Sequence, residues 1–168
     1  STARKMKNSI SLIGMAGAGK STVGNELSKV LDFRLIDSDI LIEEQQGKSL
    51  QKILDDEGYI KLREIENLVL KDLHLDKTIL STGGSAVYSD EAMKHIKQNS
   101  KVIFLEVPFD KILERVPNFY NRGFAKAPSQ SIEDAFEERQ ELYKRCAHHI
   151  VSNSSDLHSC VSKIVKLL

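Results

Sequence analysis

The sequence has no excess of charge of either sign, since 24 lysines and arginines stand against 24 aspartates and glutamates. Without a net field nothing draws the chain to nucleic acid or to an anionic membrane surface. Any anion it binds has to be held by local geometry. Long apolar runs are also missing: residues 102–105 are among the longest, far short of the roughly 20 that a spanning helix needs. The first residues carry no apolar stretch of the kind that directs export. These absences lead us to expect a cytoplasmic protein with no nucleic acid and no membrane partner. Cysteine is scarce, with only Cys146 and Cys160, which argues for free thiols in a reducing compartment. The five histidines make no ligand set, because His74 and His95 are isolated and His148 and His149 are adjacent. Repeats and low-complexity linkers are absent, and 168 residues at 40% hydrophobic content suffice for one core but not two. One domain over 1–168 is expected, and a monomer, since no surplus apolar surface is evident.

What is present is an alternation of short apolar runs with helical periodicity, the pattern of an α/β domain. Residues 10–13 form a β-branched apolar run that enters a glycine-rich turn. Val23, Leu27, Val30 and Leu31 then recur at helical spacing over 20–31. A second strand is predicted over 33–36, ending in Asp37-Ser38-Asp39. Three helical pieces follow, the second capped by Ser49, before a third strand over 78–82. Ser89-Asp90 predicts a cap for a helix through His95, residues 101–107 read as the strongest strand, and Pro108 suits the first turn of a helix to about Arg115. Residues 116–128 lose all periodicity, a loop of about 13 residues and longer than most compact connections. Ser131 predicts the start of a helix to about Ala147, followed by a short strand over 149–151 and a final helix striped by Leu157, Cys160, Val161, Ile164 and Val165.

The sharpest motif is Gly14-Met15-Ala16-Gly17-Ala18-Gly19-Lys20-Ser21, continued by Thr22, with a strand before it and a helix after. Glycines let the chain curl so that backbone N–H groups point inward at phosphate oxygens with no side chain in the way. Lys20 would neutralise the β- and γ-phosphates, and the Ser21 hydroxyl would face Mg²⁺. Asp37 ends a strand, where ligands of open α/β sheets bind. It can hold Mg²⁺ through water or simply stabilise a turn. Asp39 can orient or deprotonate an acceptor hydroxyl, or cap the next helix. Arg139 lies on the apolar stripe of Ile132, Phe136 and Tyr143, so it needs a partner. A local glutamate or a substrate carboxylate gripped in a bidentate fork would serve. Arg63 can pair with Glu66 at i+3 on a solvated face.

In order along the chain come the glycine-rich loop, Asp37-Ser38-Asp39, Gly58 with Arg63 and Glu66, Thr82-Gly83-Gly84, an arginine in the 116–128 loop, and Arg139 with Leu142-Tyr143 and Ala147. In this order and spacing the sequence resembles the shikimate kinase family, from about Ser9 to Val151. The resemblance implies a P-loop kinase fold, with a five-stranded parallel sheet flanked by helices. The core would be 9–38, 77–115 and 129–168, helices over 39–76 would bind the substrate, and 116–128 would form a lid. It implies ATP as co-substrate, Mg²⁺ as cofactor and shikimate as acceptor. It assigns Asp37 to Mg²⁺, Asp39 to the acceptor hydroxyls, and Arg63, Arg139, Gly83 and Gly84 to the acceptor. Arg122 would act in the lid on the transferring phosphoryl group, and Arg115 would lie near the adenine; for each, a solvated loop arginine is the alternative. Three places depart from the family pattern. Ser85 replaces a third glycine, Gly123-Phe124-Ala125 follows Arg122 where proline and leucines are usual, and the acceptor wall reads Leu50, Leu54, Leu62 where aromatics are common at two of them. A related kinase with a shifted acceptor and a non-catalytic nucleotide-binding module are the competing functions. None of the departures touches Lys20, Ser21 or Asp37.

Overall fold

The computed structural model describes residues 8–119 and 125–168. Five strands, β1 (Ile10–Ile13), β2 (Arg34–Asp37), β3 (Thr78–Ser81), β4 (Lys101–Glu106) and β5 (His149–Ser152), form one sheet in the order β2-β3-β1-β4-β5. Every pairing is parallel, with Ile10 opposite both Ile79 and Lys101. The interior position of β1 explains its composition, because all four of its residues are buried. Two of the chain's weakest apolar patterns are the edge strands β2 and β5, which leave Arg34, Leu35, Ile150 and Ser152 exposed. β1 lies between β3 and β4, so the loop after β1 sits where successive connections diverge, the place where open α/β sheets bind ligands.

The helices are α1 (Lys20–Leu31), α2 (Ser38–Gln46), α3 (Leu50–Leu70), α4 (Asp90–Asn99), α5 (Phe109–Arg115), α6 (Ile132–Cys146) and α7 (Leu157–Lys166). Ser49 and Ser131 cap α3 and α6, accepting from the N–H groups of Lys52 and Asp134. The three helical pieces expected between β2 and β3 are α2 and the two halves of α3, which bends at Gly58 (φ 84°, ψ 171°). Phe33 stays outside β2 because its N–H closes α1 on the Ser28 carbonyl. The Ser89 hydroxyl does not cap α4. It reaches the Arg63 carbonyl, while Asn67 on α3 accepts from the Ala92 N–H. α4 also runs past His95 to Asn99, because Ala92, Met93 and Ile96 continue its buried stripe.

The main core lies around the sheet, with Leu12, Ile79, Ile103, Leu105 and Tyr143 all fully buried. α2 and α3 share a second, smaller cluster of Ile42, Ile53, Leu62 and Ile65, which Ala125 joins from the far side of the 116–128 loop. Cys146 and Cys160 are free. No helix among the described residues is long and apolar enough to cross a membrane.

Candidate active site

The turn after β1 curls through Gly14, Gly17 and Gly19, all at positive φ. A Cβ would come within 2.8 Å of the Leu105 carbonyl oxygen at Gly14, and within 2.8 Å of Val116 Cγ2 at Gly17. Torsion and space both demand glycine there. Gly19 caps α1 without any side-chain hydrogen bond, so the first N–H groups of the helix are left for an anion. Lys20, nearly buried, folds back over the loop and donates to the carbonyls of Gly14 (2.6 Å) and Met15 (2.9 Å). Met15 and Ala18 turn their side chains into the core. A cavity of about 270 Å³ opens in front of the loop, lined by Gly17, Gly19, Lys20, Ser21 and Thr22 and, across from them, by Asp37 and Asp39.

Asp37 rather than Asp39 caps α2. Its Oδ1 accepts from the N–H groups of Asp39 and Ile40, and its Oδ2 accepts from the Ser21 hydroxyl at 3.0 Å. One carboxylate therefore ties the start of α2 to the start of α1 and leaves the Asp39 side chain to face the cavity. At the other end of the loop, Asn153 donates from Nδ2 to the Ala18 carbonyl at 2.7 Å, and its own carbonyl accepts from Arg115. Arg115 is thus linked through Asn153 to the loop.

A second cavity, of about 70 Å³, lies next to the first. Leu50, Leu54 and Leu62 form its apolar wall, and Asp39, Glu66, Gly83, Gly84, Ser85 and Arg139 its polar side. Gly83 has close neighbours: a Cβ there would sit 2.5 Å from Asp39 Oδ1 and 2.6 Å from Glu66 Oε2. Its N–H is taken by the Ser38 hydroxyl, and the Gly84 carbonyl by the Tyr143 hydroxyl at 2.6 Å. Gly83 therefore contributes room rather than a free donor to the acceptor region.

Arg139 is only 2% exposed and donates to the Ala125 carbonyl at 2.6 Å. Arg63 donates to that same oxygen at 2.9 Å, with its guanidinium 3.7 Å above the Tyr88 ring centre. Burial lowers the Arg63 pKa, with the second cation, Arg139, adding to the fall and Tyr88 opposing it. Arg63 Nε is buried with no hydrogen-bond partner among the described residues. Arg63 does not line the second cavity but a shallow cleft behind it, with Tyr88 and Glu64. The i+3 pairing of Arg63 with Glu66 is not made among the described residues. Glu66, 3% exposed, accepts instead from the Ser85 hydroxyl at 2.7 Å. Burial pushes its carboxyl up to about 7, with Asp39 adding to the rise and Ser85, Arg139 and Arg63 opposing it. Arg122 lies outside the described residues.

The residues that sequence reasoning missed are Asn153, Ser38, Tyr143 as the anchor of Gly84, and Ala125. Only Asn153 carried a signal, as a polar residue directly after the last strand.

The family model for shikimate kinase matches residues 16–168. A shikimate kinase of Clostridium botulinum (strain Eklund 17B / Type B) is 35% identical over 164 residues, covering 97% of this chain and 98% of that protein. Among solved structures, shikimate kinase from Acinetobacter baumannii in complex with shikimate superposes with a TM-score of 0.86 at 30% identity, covering 95% of this chain and 92% of that one. Shikimate kinase from Aquifex aeolicus vf5 gives 0.80 at 33%, with 94% of each chain covered. With the family model matching most of the chain and relatives matching it over nearly its whole length, the chain belongs to the shikimate kinase family.

Proposed function

We propose that this chain transfers the γ-phosphoryl group of ATP to a hydroxyl of shikimate, giving shikimate 3-phosphate and ADP. The observation that carries the reading is that Ala16, Asp39 and Gly84 line both cavities. A phosphate held by the loop and a hydroxyl held in the second cavity would meet at Asp39.

In this reading the loop from Gly14 to Gly19 cradles the phosphates with its N–H groups, Thr22 extends the cradle, and Lys20 leaves its two carbonyl partners for phosphate oxygens. Ser21 and Asp37 fit Mg²⁺, because they present hard oxygen atoms 3.0 Å apart on the rim of the phosphate cavity. No group of three or more His, Cys, Asp or Glu side chains able to hold a metal stands among the described residues, which suits an ion that keeps waters and phosphate oxygens in most of its positions. When bound, it neutralises charge on the phosphate oxygens. Asp39 accepts the proton of the attacking hydroxyl as the new O–P bond forms and the bond to ADP breaks. The Ala125 carbonyl offers Arg63 and Arg139 only a partial negative charge. A substrate carboxylate is the stronger partner for two guanidinium groups. Arg115 stands on the adenine side, and the family resemblance assigns Arg122 to the transferring phosphoryl group. Residues 39–76 serve as the acceptor region and 116–128 as the lid. We read the protein as a cytoplasmic monomer, with ATP and the acceptor as its partners.

ADP release with ATP, Mg²⁺ and shikimate tests this, with Lys20→Ala and Asp39→Asn variants and a control lacking acceptor. Shikimate-dependent turnover that both variants lose is the expected result. ATP binding without shikimate-dependent turnover would overturn the choice of acceptor.

A further inference from the structure

Ser85 stands where the family pattern has a third glycine, and its hydroxyl is put to a specific use. It is 7% exposed and donates to Glu66 Oε1 at 2.7 Å, so one oxygen of that carboxyl is held. The other, Oε2, lies on the side of Gly83 where Asp39 Oδ1 also lies, the two sitting 2.6 and 2.5 Å from the place a Cβ would take. Ser85 and Glu66 both line the cavity that the proposed function assigns to the acceptor. We infer that Ser85 is a positioning residue for the acceptor: its hydrogen bond fixes the Glu66 carboxyl so that Oε2 accepts from an acceptor hydroxyl beside Asp39. The inference rests on the acceptor reading above.

A carboxyl rotates freely about its last bond unless one oxygen is held. Around Glu66 the charged and titratable groups are Asp39 from α2, Arg63 on α3 itself, and Arg139 and Tyr143 from α6. Asp39 favours the protonated carboxyl, as burial does. The arginines and the Ser85 hydroxyl favour the anion, the form with an oxygen free to accept. The Ser85 backbone (φ −97°, ψ 1°) is at negative φ and needs no glycine, so substitution there tests the side chain rather than a left-handed turn.

The experiment compares the parent with Ser85→Ala and Ser85→Thr. Steady-state kinetics with shikimate and ATP varied separately are run beside a ¹³C NMR titration of glutamate side chains in the acceptor-free protein, Glu66 being assigned with Glu66→Gln. Ser85→Ala is expected to raise the KM for shikimate roughly tenfold, the loss typical of a hydrogen bond to a charged group. KM for ATP stays within about twofold, the Glu66 midpoint moves up, and Ser85→Thr restores both. An unmoved midpoint in Ser85→Ala, or a moved midpoint with an unchanged shikimate KM, overturns the inference. A parent protein with no shikimate-dependent turnover refutes the acceptor and with it the role of Ser85 toward that acceptor, while the titration still reads separately whether Ser85 holds Glu66.

Discussion

Replacing Gly83 by alanine should damage catalysis while leaving the fold nearly intact. Gly83 is not among the residues at positive φ, so its backbone accepts an alanine. The new methyl would stand 2.5 Å from Asp39 Oδ1 and 2.6 Å from Glu66 Oε2, where ordinary contact begins at 3.4 Å. Each carboxylate therefore has to retreat by about 1 Å, and a misplacement of that size at a reacting group lowers rates by about 100-fold. In free energy this is about 2.7 kcal/mol of transition-state stabilisation. What moves is the end of two side chains rather than backbone, so the melting temperature should fall by no more than about 4 °C. Gly83 does not line the phosphate cavity, so ATP affinity should stay within about twofold. Steady-state kinetics with shikimate varied, nucleotide titration and thermal unfolding together read all three quantities. A variant whose kcat/KM for shikimate stays within about threefold of the parent at unchanged melting temperature would refute this account of Asp39.

Tyr143→Phe removes the hydroxyl that donates to the Gly84 carbonyl but keeps the ring against Phe104. That carbonyl is half-buried, so losing its donor should cost about 1 kcal/mol, the low end for an unmet polar group, a drop in melting temperature of about 2–4 °C; a change under about 1 °C would contradict it. Glu66 titrates near 7 when folded against an ordinary value of 4.5. The native state thus binds the extra proton in that window, so the Glu66 contribution to stability falls as pH rises from about 4.5 to about 7 and is level above. Glu66→Gln should remove this slope, so its stability relative to the parent, measured by urea unfolding, climbs by on the order of 3 kcal/mol between pH 4.5 and 7.5. A pH-independent difference between the two proteins would rule it out.

The alternation of strands and helices, the caps at Ser49 and Ser131 and the phosphate loop were all legible in the sequence, because each depends on residues within a turn or two of one another. Arg139 belongs with them, since a charge on an apolar helical stripe demands a partner wherever the helix packs. The start of α4 at Asp90 is where the sequence puts it, but a distant residue, Asn67, serves there in place of the Ser89 hydroxyl. The family resemblance added the acceptor and the roles of the arginines, which spacing alone left open.

Only the tertiary structure decided which polar groups meet. Asn153 reaches Ala18 across 135 residues, and Arg63 is drawn 62 residues along the chain to Ala125 instead of three to Glu66. Glu66 itself is read from the sequence as a surface partner and is found buried, because α3 bends at Gly58 and packs its second half beneath the turn after β3. Sequence specifies what each side chain can donate, accept or carry as charge. Burial and long-range packing settle which of those capacities is used, because the energy of a polar contact depends on the water removed from around it.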